Sequence, residues 1–141
     1  MSATIITTAT PTTSSVPTVG SLLRGGAVAT VLAAIATTAV AGVGQAVGIS
    51  TDISGAPIPA SGFATLTVMF SLIGLLIAVG LRRFARQPRS TWIRATVALT
   101  VLSLVPDVLV DAAATTKILL MVTHLVAAGI VIPAVARRLR A

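Results

Sequence analysis

The sequence has no cysteine and no tyrosine, and very few of its residues are charged. Without cysteine, the chain can form no disulfide, no thiolate metal site and no thiol nucleophile. Only 9% of its 141 residues are charged, whereas 55% are hydrophobic. A soluble domain of this size could not cover so much apolar surface. The absences therefore exclude thiol chemistry, and the composition indicates a membrane protein.

Long apolar runs make up most of the chain, at about 25–48, 63–83, 92–111 and 117–136. Helices of about 20 residues, rising about 1.5 Å per residue, cross a hydrocarbon core of about 30 Å. A soluble helical core would need a polar face on every helix, and 25–48 contains no charged residue. A β-barrel would need alternating polar and apolar residues. We predict an all-α fold over residues 22–141, an antiparallel bundle of four transmembrane helices.

Charge is segregated along the chain. All nine arginines lie before the first run, at or between the facing ends of the second and third, or after the fourth, whereas the three aspartates and Lys117 lie in or beside the other two connections. Basic loops stay in the cytoplasm, so we predict a multi-pass protein of the plasma (inner) membrane with both termini inside. The arginines expected to orient the chain are Arg82, Arg83, Arg86, Arg89, Arg137 and Arg138.

The same arginines predict the partners of the protein. They would lie at the level of anionic lipid headgroups, which attract them. The net charge of +7 does not indicate nucleic acid, because no basic surface carries interleaved aromatic residues. Trp92 follows the arginine-rich connection, at the position of an interfacial aromatic residue.

The first 21 residues are rich in Thr, Ser and Ala and hold little to bury, so we predict a disordered cytoplasmic tail. The next run has the regions of a secretory signal but continues past the small residues at 39–41, which favours a retained span. Gly25 and Gly26 are interpreted as a flexible start of that span.

Small residues recur every four positions in the first run, at Ala29, Ala33, Thr37 and Ala41. A face of small residues lets helix backbones approach closely in lipid. We therefore expect the first helix to be central to the bundle, and this face could also pair subunits in a homo-oligomer.

The connection from Ser50 to Gly62 contains two prolines and Gly55, which predicts a non-helical segment. Its apolar residues Ile53 and Ile58 could cover the mouth of the bundle. An ordinary exposed loop is the favoured interpretation.

A polar stripe runs along the third span. Thr96, Thr100, Ser103, Asp107 and Asp111 stay within about 80° of one another at 100° per residue. Such a stripe is costly against lipid. We expect it to face the bundle interior or a water-filled recess at the outer end.

His124 is the only histidine and is expected at the depth of Asp107. The turn between the last two spans is centred near position 115 or 116, and residues equally distant from it lie level in an antiparallel hairpin. Gln45 is near the outer end of the first span. The candidate polar pocket therefore consists of Asp107, His124, Asp111 and Gln45.

Several functions remain open for this pocket. It could bind a small molecule or lipid, or the Asp107–His124 pair could simply fasten two helices. A proton-coupled transporter acting as an oligomer, or a membrane enzyme with an Asp–His acid–base pair, would use the same residues. The missing nucleophile and cofactor motifs count against an enzyme. We expect no cofactor and no metal, because neither HxxxH nor ExxH spacing occurs.

Short motifs resemble a known family. They are Arg82-Arg83…Arg86…Pro88 with Trp92, Ser103-Leu104 before Pro106, Thr115-Thr116, Leu119…His124-Leu125-Val126-Ala127-Ala128, and Ile132-Pro133-Ala134. Over about residues 22–140 the chain resembles a family of small actinobacterial four-span membrane proteins, a domain of unknown function. The resemblance implies the same four-helix topology and no known activity.

Overall fold

Four helices form the fold in a computed structural model that describes residues 18–140. All four are long and apolar enough to span a membrane, and they pack together, which confirms the predicted helical bundle. The elements are α1 (Val19–Ala46), β1 (Asp52–Ile53), β2 (Ala56–Pro57), α2 (Ala60–Phe84), α3 (Pro88–Leu109) and α4 (Ala114–Ala136).

The first helix begins earlier than the apolar run suggests. Thr18 caps it, because its hydroxyl accepts a bond from the amide of Ser21 at 3.1 Å. The predicted tail is therefore wrong for 18–21, where a capping threonine starts a helix. Its other residues, 1–17, lie outside the described part of the chain.

The small-residue face of α1 is the centre of the bundle. Ala29, Ala33, Thr37 and Ala41 are all buried, and α1 packs against both α2 and α4. The predicted central position of this helix is thereby confirmed. Because the face is occupied within the chain, it is not free to pair with a second copy.

Gly26 is a packing position and not the flexible start expected from the sequence. A Cβ atom there would lie 2.5 Å from Cδ1 of buried Leu75, so α1 and α2 approach closely because no side chain intervenes. Gly25 likewise lies inside α1.

We expect Gly26→Val to destabilise the bundle by about 1–3 kcal/mol, the usual cost of overpacking a core. Gly42→Val is the matched control, since Gly42 lies in the same helix and a Cβ there meets no described atom within 4 Å. Thermal unfolding in detergent would compare the two. Equal losses would mean that helix propensity, and not the approach to Leu75, determines the effect.

All the described arginines gather at one end of the bundle, which we call the arginine end. Leu22 near the start of α1 packs in one buried cluster with Val135 and Leu139 near the end of α4. Trp92 belongs to this cluster, with 1% of its surface exposed, and its Nε1 donates to the carbonyl of Ile132 at 3.1 Å. The ring therefore packs inward against the bundle, at the same end as the arginines.

The opposite end is covered by the segment 50–58, which we call the lid. Its two short strands are antiparallel and joined by Ser54 and Gly55, both with positive φ, as a type I′ turn requires. Ile53 and Ile58 pack against a buried cluster that includes Phe63. The favoured exposed loop is therefore wrong, since the strand pairing turns these isoleucines onto the bundle.

Candidate functional site

Most of the polar stripe on α3 is satisfied within its own helix. The hydroxyls of Thr96 and Thr100 donate to carbonyls four residues back, at 2.7 and 2.8 Å, and Ser103 donates to the carbonyl of Thr100 at 2.7 Å. All three residues are half-buried. In the part of the stripe that belongs to α3, Asp107 alone contacts a polar side chain on another helix.

Asp107 and His124 form the centre of the site. Asp107 is 7% exposed, and its Oδ2 lies 2.9 Å from Nδ1 of His124. The structure thus brings together the two residues that hairpin symmetry predicts to be level. The contact joins the last turn of α3 to the middle of α4.

Two oxygens compete for the inner nitrogen of His124. Nδ1 also lies 3.1 Å from the carbonyl oxygen of Leu120, one turn earlier in α4. A hydrogen on Nδ1 would point toward that carbonyl, so Oδ2 lies close to Nδ1 without a well-directed hydrogen bond. A bare nitrogen facing two oxygens would be repelled. A proton on Nδ1 would relieve both contacts, whereas a proton on the carboxyl group would relieve only the contact with Asp107.

The other side of the imidazole is open. The His124 side chain is 39% exposed, compared with 10% for that of Asp107. Within residues 18–140, no protein group forms a hydrogen bond with Nε2. The bond at one ring nitrogen sets whether the other nitrogen donates or accepts a hydrogen bond. The contacts of Nδ1 also hold the ring, so Nε2 points in a fixed direction.

Gln45 does not join the pair. Its Nε2 donates to Oγ1 of Thr51 at 3.2 Å and to the carbonyl of Ile58 at 3.4 Å. The expected convergence is wrong for this residue because the lid folds over the end of α1 and binds its amide. Sequence spacing alone could not reveal a competing partner in the lid.

Asp111 also lies apart from the pair. Helix α3 ends at Leu109 and Val110 is extended, so the helical spacing that aligned Asp111 with the stripe no longer applies. The side chain is exposed, and its main-chain carbonyl accepts a bond from the amide of Ser54 at 2.9 Å. Asp111 therefore helps to hold the lid.

Two hydrogen bonds near the site, one from a threonine and one from a lysine, were not predicted. Thr116 donates to the carbonyl of Ser50 at 2.6 Å and so ties α4 to the lid. Lys117 donates through Nζ to the carbonyl of Val108 at 2.8 Å, which satisfies the carboxyl end of α3. Among the described residues, no three potential metal ligands come together.

The orienting arginines occupy two surfaces at the arginine end. Arg86 and Arg89 line a cleft where α2 passes into α3. Arg137 and Arg138 line a groove between α1 and α4. Arg82 is half-buried, and its Nη1 has no hydrogen-bond partner within 18–140. Its neighbour Arg83 is exposed.

Comparison with known proteins identifies a family and gives no activity. No curated protein and no solved structure matches the chain. A family model does match, and it covers residues 17–141, so the whole described bundle, with its Asp107–His124 pair, lies inside it. The chain therefore belongs to the family of unknown function DUF6069.

Proposed function

We propose that this chain is a small, non-enzymatic membrane protein in which the Asp107–His124 pair binds the polar group of a membrane-borne small molecule or lipid. The observation that supports the proposal is the asymmetry of His124. Its Nδ1 lies within 3.1 Å of two oxygens, while 39% of its side chain stays exposed. An imidazole fixed at one nitrogen and open at the other is suited to bind a hydroxyl or carbonyl group.

The depth of His124 strengthens this proposal. It follows the first residue of α4 by ten positions, which corresponds to about 15 Å at about 1.5 Å per residue. With the first residue of α4 at the membrane surface, His124 would lie in hydrocarbon, which supplies no water to satisfy a ring nitrogen. A pair that only fastened α3 to α4 would need the inner edge of the ring alone. The outer nitrogen therefore calls for a polar partner from the membrane.

We also propose that the arginine end faces the cytoplasm of the plasma membrane, with both termini there. The support is the separation of charge. Nine arginines lie toward one end of the bundle, while Asp107, Asp111 and Lys117 lie toward the other. The positive-inside rule favours that orientation, and anionic headgroups would surround the arginines.

Binding at His124 can be tested on protein purified in mild detergent. We expect native mass spectrometry to show a small molecule or lipid retained by the wild type and by Ser103→Ala, whose hydroxyl bonds within its own helix. His124→Phe should weaken retention about tenfold, the effect of losing a hydrogen bond of about 1.4 kcal/mol.

Carbethoxylation by diethyl pyrocarbonate provides a second readout, because His124 is the only histidine. The retained molecule should slow the reaction at the ring, and delipidation should restore it. If nothing is retained and delipidation leaves the rate unchanged, the pair only fastens helices. Recovery of a chemically converted molecule from the wild type, but not from Asp107→Asn, would instead indicate an acid–base enzyme.

A further inference from the structure

A groove of about 700 Å³ lies between the start of α1 and the end of α4, at the arginine end. Its walls follow helical spacing on both helices. Positions 21, 25, 28 and 32 form one wall, and positions 130, 134 and 137 form the other. From 21 to 32 the groove extends about 16 Å along α1, at about 1.5 Å per residue.

Three arginines surround the part of this groove nearest the arginine end: Arg24, Arg137 and Arg138. A Cβ atom at Gly25 would lie 3.2 Å from Nε of Arg138 and 3.3 Å from its Cγ, so this arginine lies across α1 where a side chain is missing. Within 18–140 no aspartate pairs with the three arginines, since the one contact found there between an acidic side chain and a histidine or basic side chain joins Asp107 to His124. The groove therefore holds a positive charge that the described chain does not neutralise.

The inner part of the groove is apolar. Val28 and Leu32 are 60% and 53% exposed, and Ile130 faces them from α4. Charged side chains thus lie where the groove opens at the arginine end, and apolar side chains lie deeper in the same groove. This distribution matches an amphiphile and not a free anion, which would gain nothing from the apolar wall.

We propose that the groove binds one anionic phospholipid, with its phosphate on Arg24, Arg137 and Arg138 and an acyl chain against Val28 and Leu32. Charge complementarity supports this occupant. The groove also opens at the amino end of α1, where the helix dipole favours a phosphate. The proposal depends on the membrane embedding and is independent of the Asp107–His124 pair.

A second arginine-lined cleft supplies a matched control. It has a volume of about 740 Å³ and is lined by Arg86, Arg89 and Arg94, with Ile93 as its apolar side chain. Replacing these three arginines removes the same charge from the same end of the bundle. The apolar wall between α1 and α4 stays intact.

The experiment titrates the full chain in detergent with phosphatidylglycerol, phosphatidylcholine or inorganic phosphate and counts bound lipids by native mass spectrometry. We expect one tightly bound phosphatidylglycerol. The triple variant R24Q/R137Q/R138Q should weaken it about tenfold or more, whereas R86Q/R89Q/R94Q should change it less than about twofold. Phosphatidylcholine should bind weakly, and inorganic phosphate should not displace the lipid.

Val28→Phe tests the groove without changing its charge and at an exposed position, so that folding is preserved. It should also weaken the phosphatidylglycerol, because the larger ring fills the acyl-chain path. Equal losses in the two arginine triples would overturn the proposal in favour of general surface electrostatics. Displacement by inorganic phosphate, with no effect of Val28→Phe, would overturn it in favour of a free-anion site. Asp107→Asn should leave this lipid bound, so failure here and failure at His124 are distinguishable.

Discussion

Trp92→Ala is expected to destabilise the bundle by about 3–5 kcal/mol, the typical cost of removing a buried large aromatic side chain. The ring is 1% exposed and lies in the cluster that joins all four helices at the arginine end, with Leu22, Leu75 and Val135 among its members. Its removal would leave a cavity where α1, α2 and α4 converge. Chemical or thermal unfolding in detergent would measure the loss.

Two variants separate the contributions of Trp92. Trp92→Phe keeps most of the apolar volume and loses the bond from Nε1 to the carbonyl of Ile132, so its cost should be only about 1 kcal/mol from that bond, plus some packing. Phe84→Ala removes an aromatic ring at the same end that is 84% exposed, and should leave stability almost unchanged. A Phe84→Ala loss as large as that of Trp92→Ala would show that interfacial anchoring, and not core packing, holds this end.

The helices of this fold could be predicted because each contains a long, largely apolar run. The ends of those helices could not, because they depend on local bonds that hydropathy does not register. Thr18 starts α1 well before the apolar run. Gly48, at φ +86°, ends it through bonds from Gly48 and Ile49 back to the carbonyls of Gln45 and Gly44.

The candidate site, like the helices, could be predicted only in part. Antiparallel geometry sufficed to bring Asp107 level with His124, because both lie on adjoining helices of one hairpin. Gln45 and Asp111 were wrongly expected beside the pair. The position of Gln45 depends on its bond to the lid, and that of Asp111 depends on where α3 ends. The role of Gly25 was also hidden, since only the folded chain shows Arg138 lying across it.

At the candidate site, the largest loss of stability is expected from breaking the Asp107–His124 pair, and the loss should depend on which partner is removed. His124→Leu leaves the side chain of Asp107, which is 10% exposed, without its imidazole, and should cost about 2–4 kcal/mol. Asp107→Leu leaves an imidazole that keeps its contact with the carbonyl of Leu120, and should cost about 1 kcal/mol.

The double variant D107L/H124L decides what the pair contributes. Because hydrophobic residues of similar volume often replace a buried ion pair without loss, it should regain stability to within about 1 kcal/mol of the wild type. Ser103→Ala serves as a control on the same face of α3, with an expected change below about 0.5 kcal/mol. Losses that simply add would mean that the two side chains are uncoupled and that the 2.9 Å contact does not hold α3 to α4. A stable double variant that no longer retains a membrane-borne molecule would instead separate the function of the pair from its structural contribution. In that case the bundle would not need Asp107 and His124 for stability, and their role in the wild type would be binding.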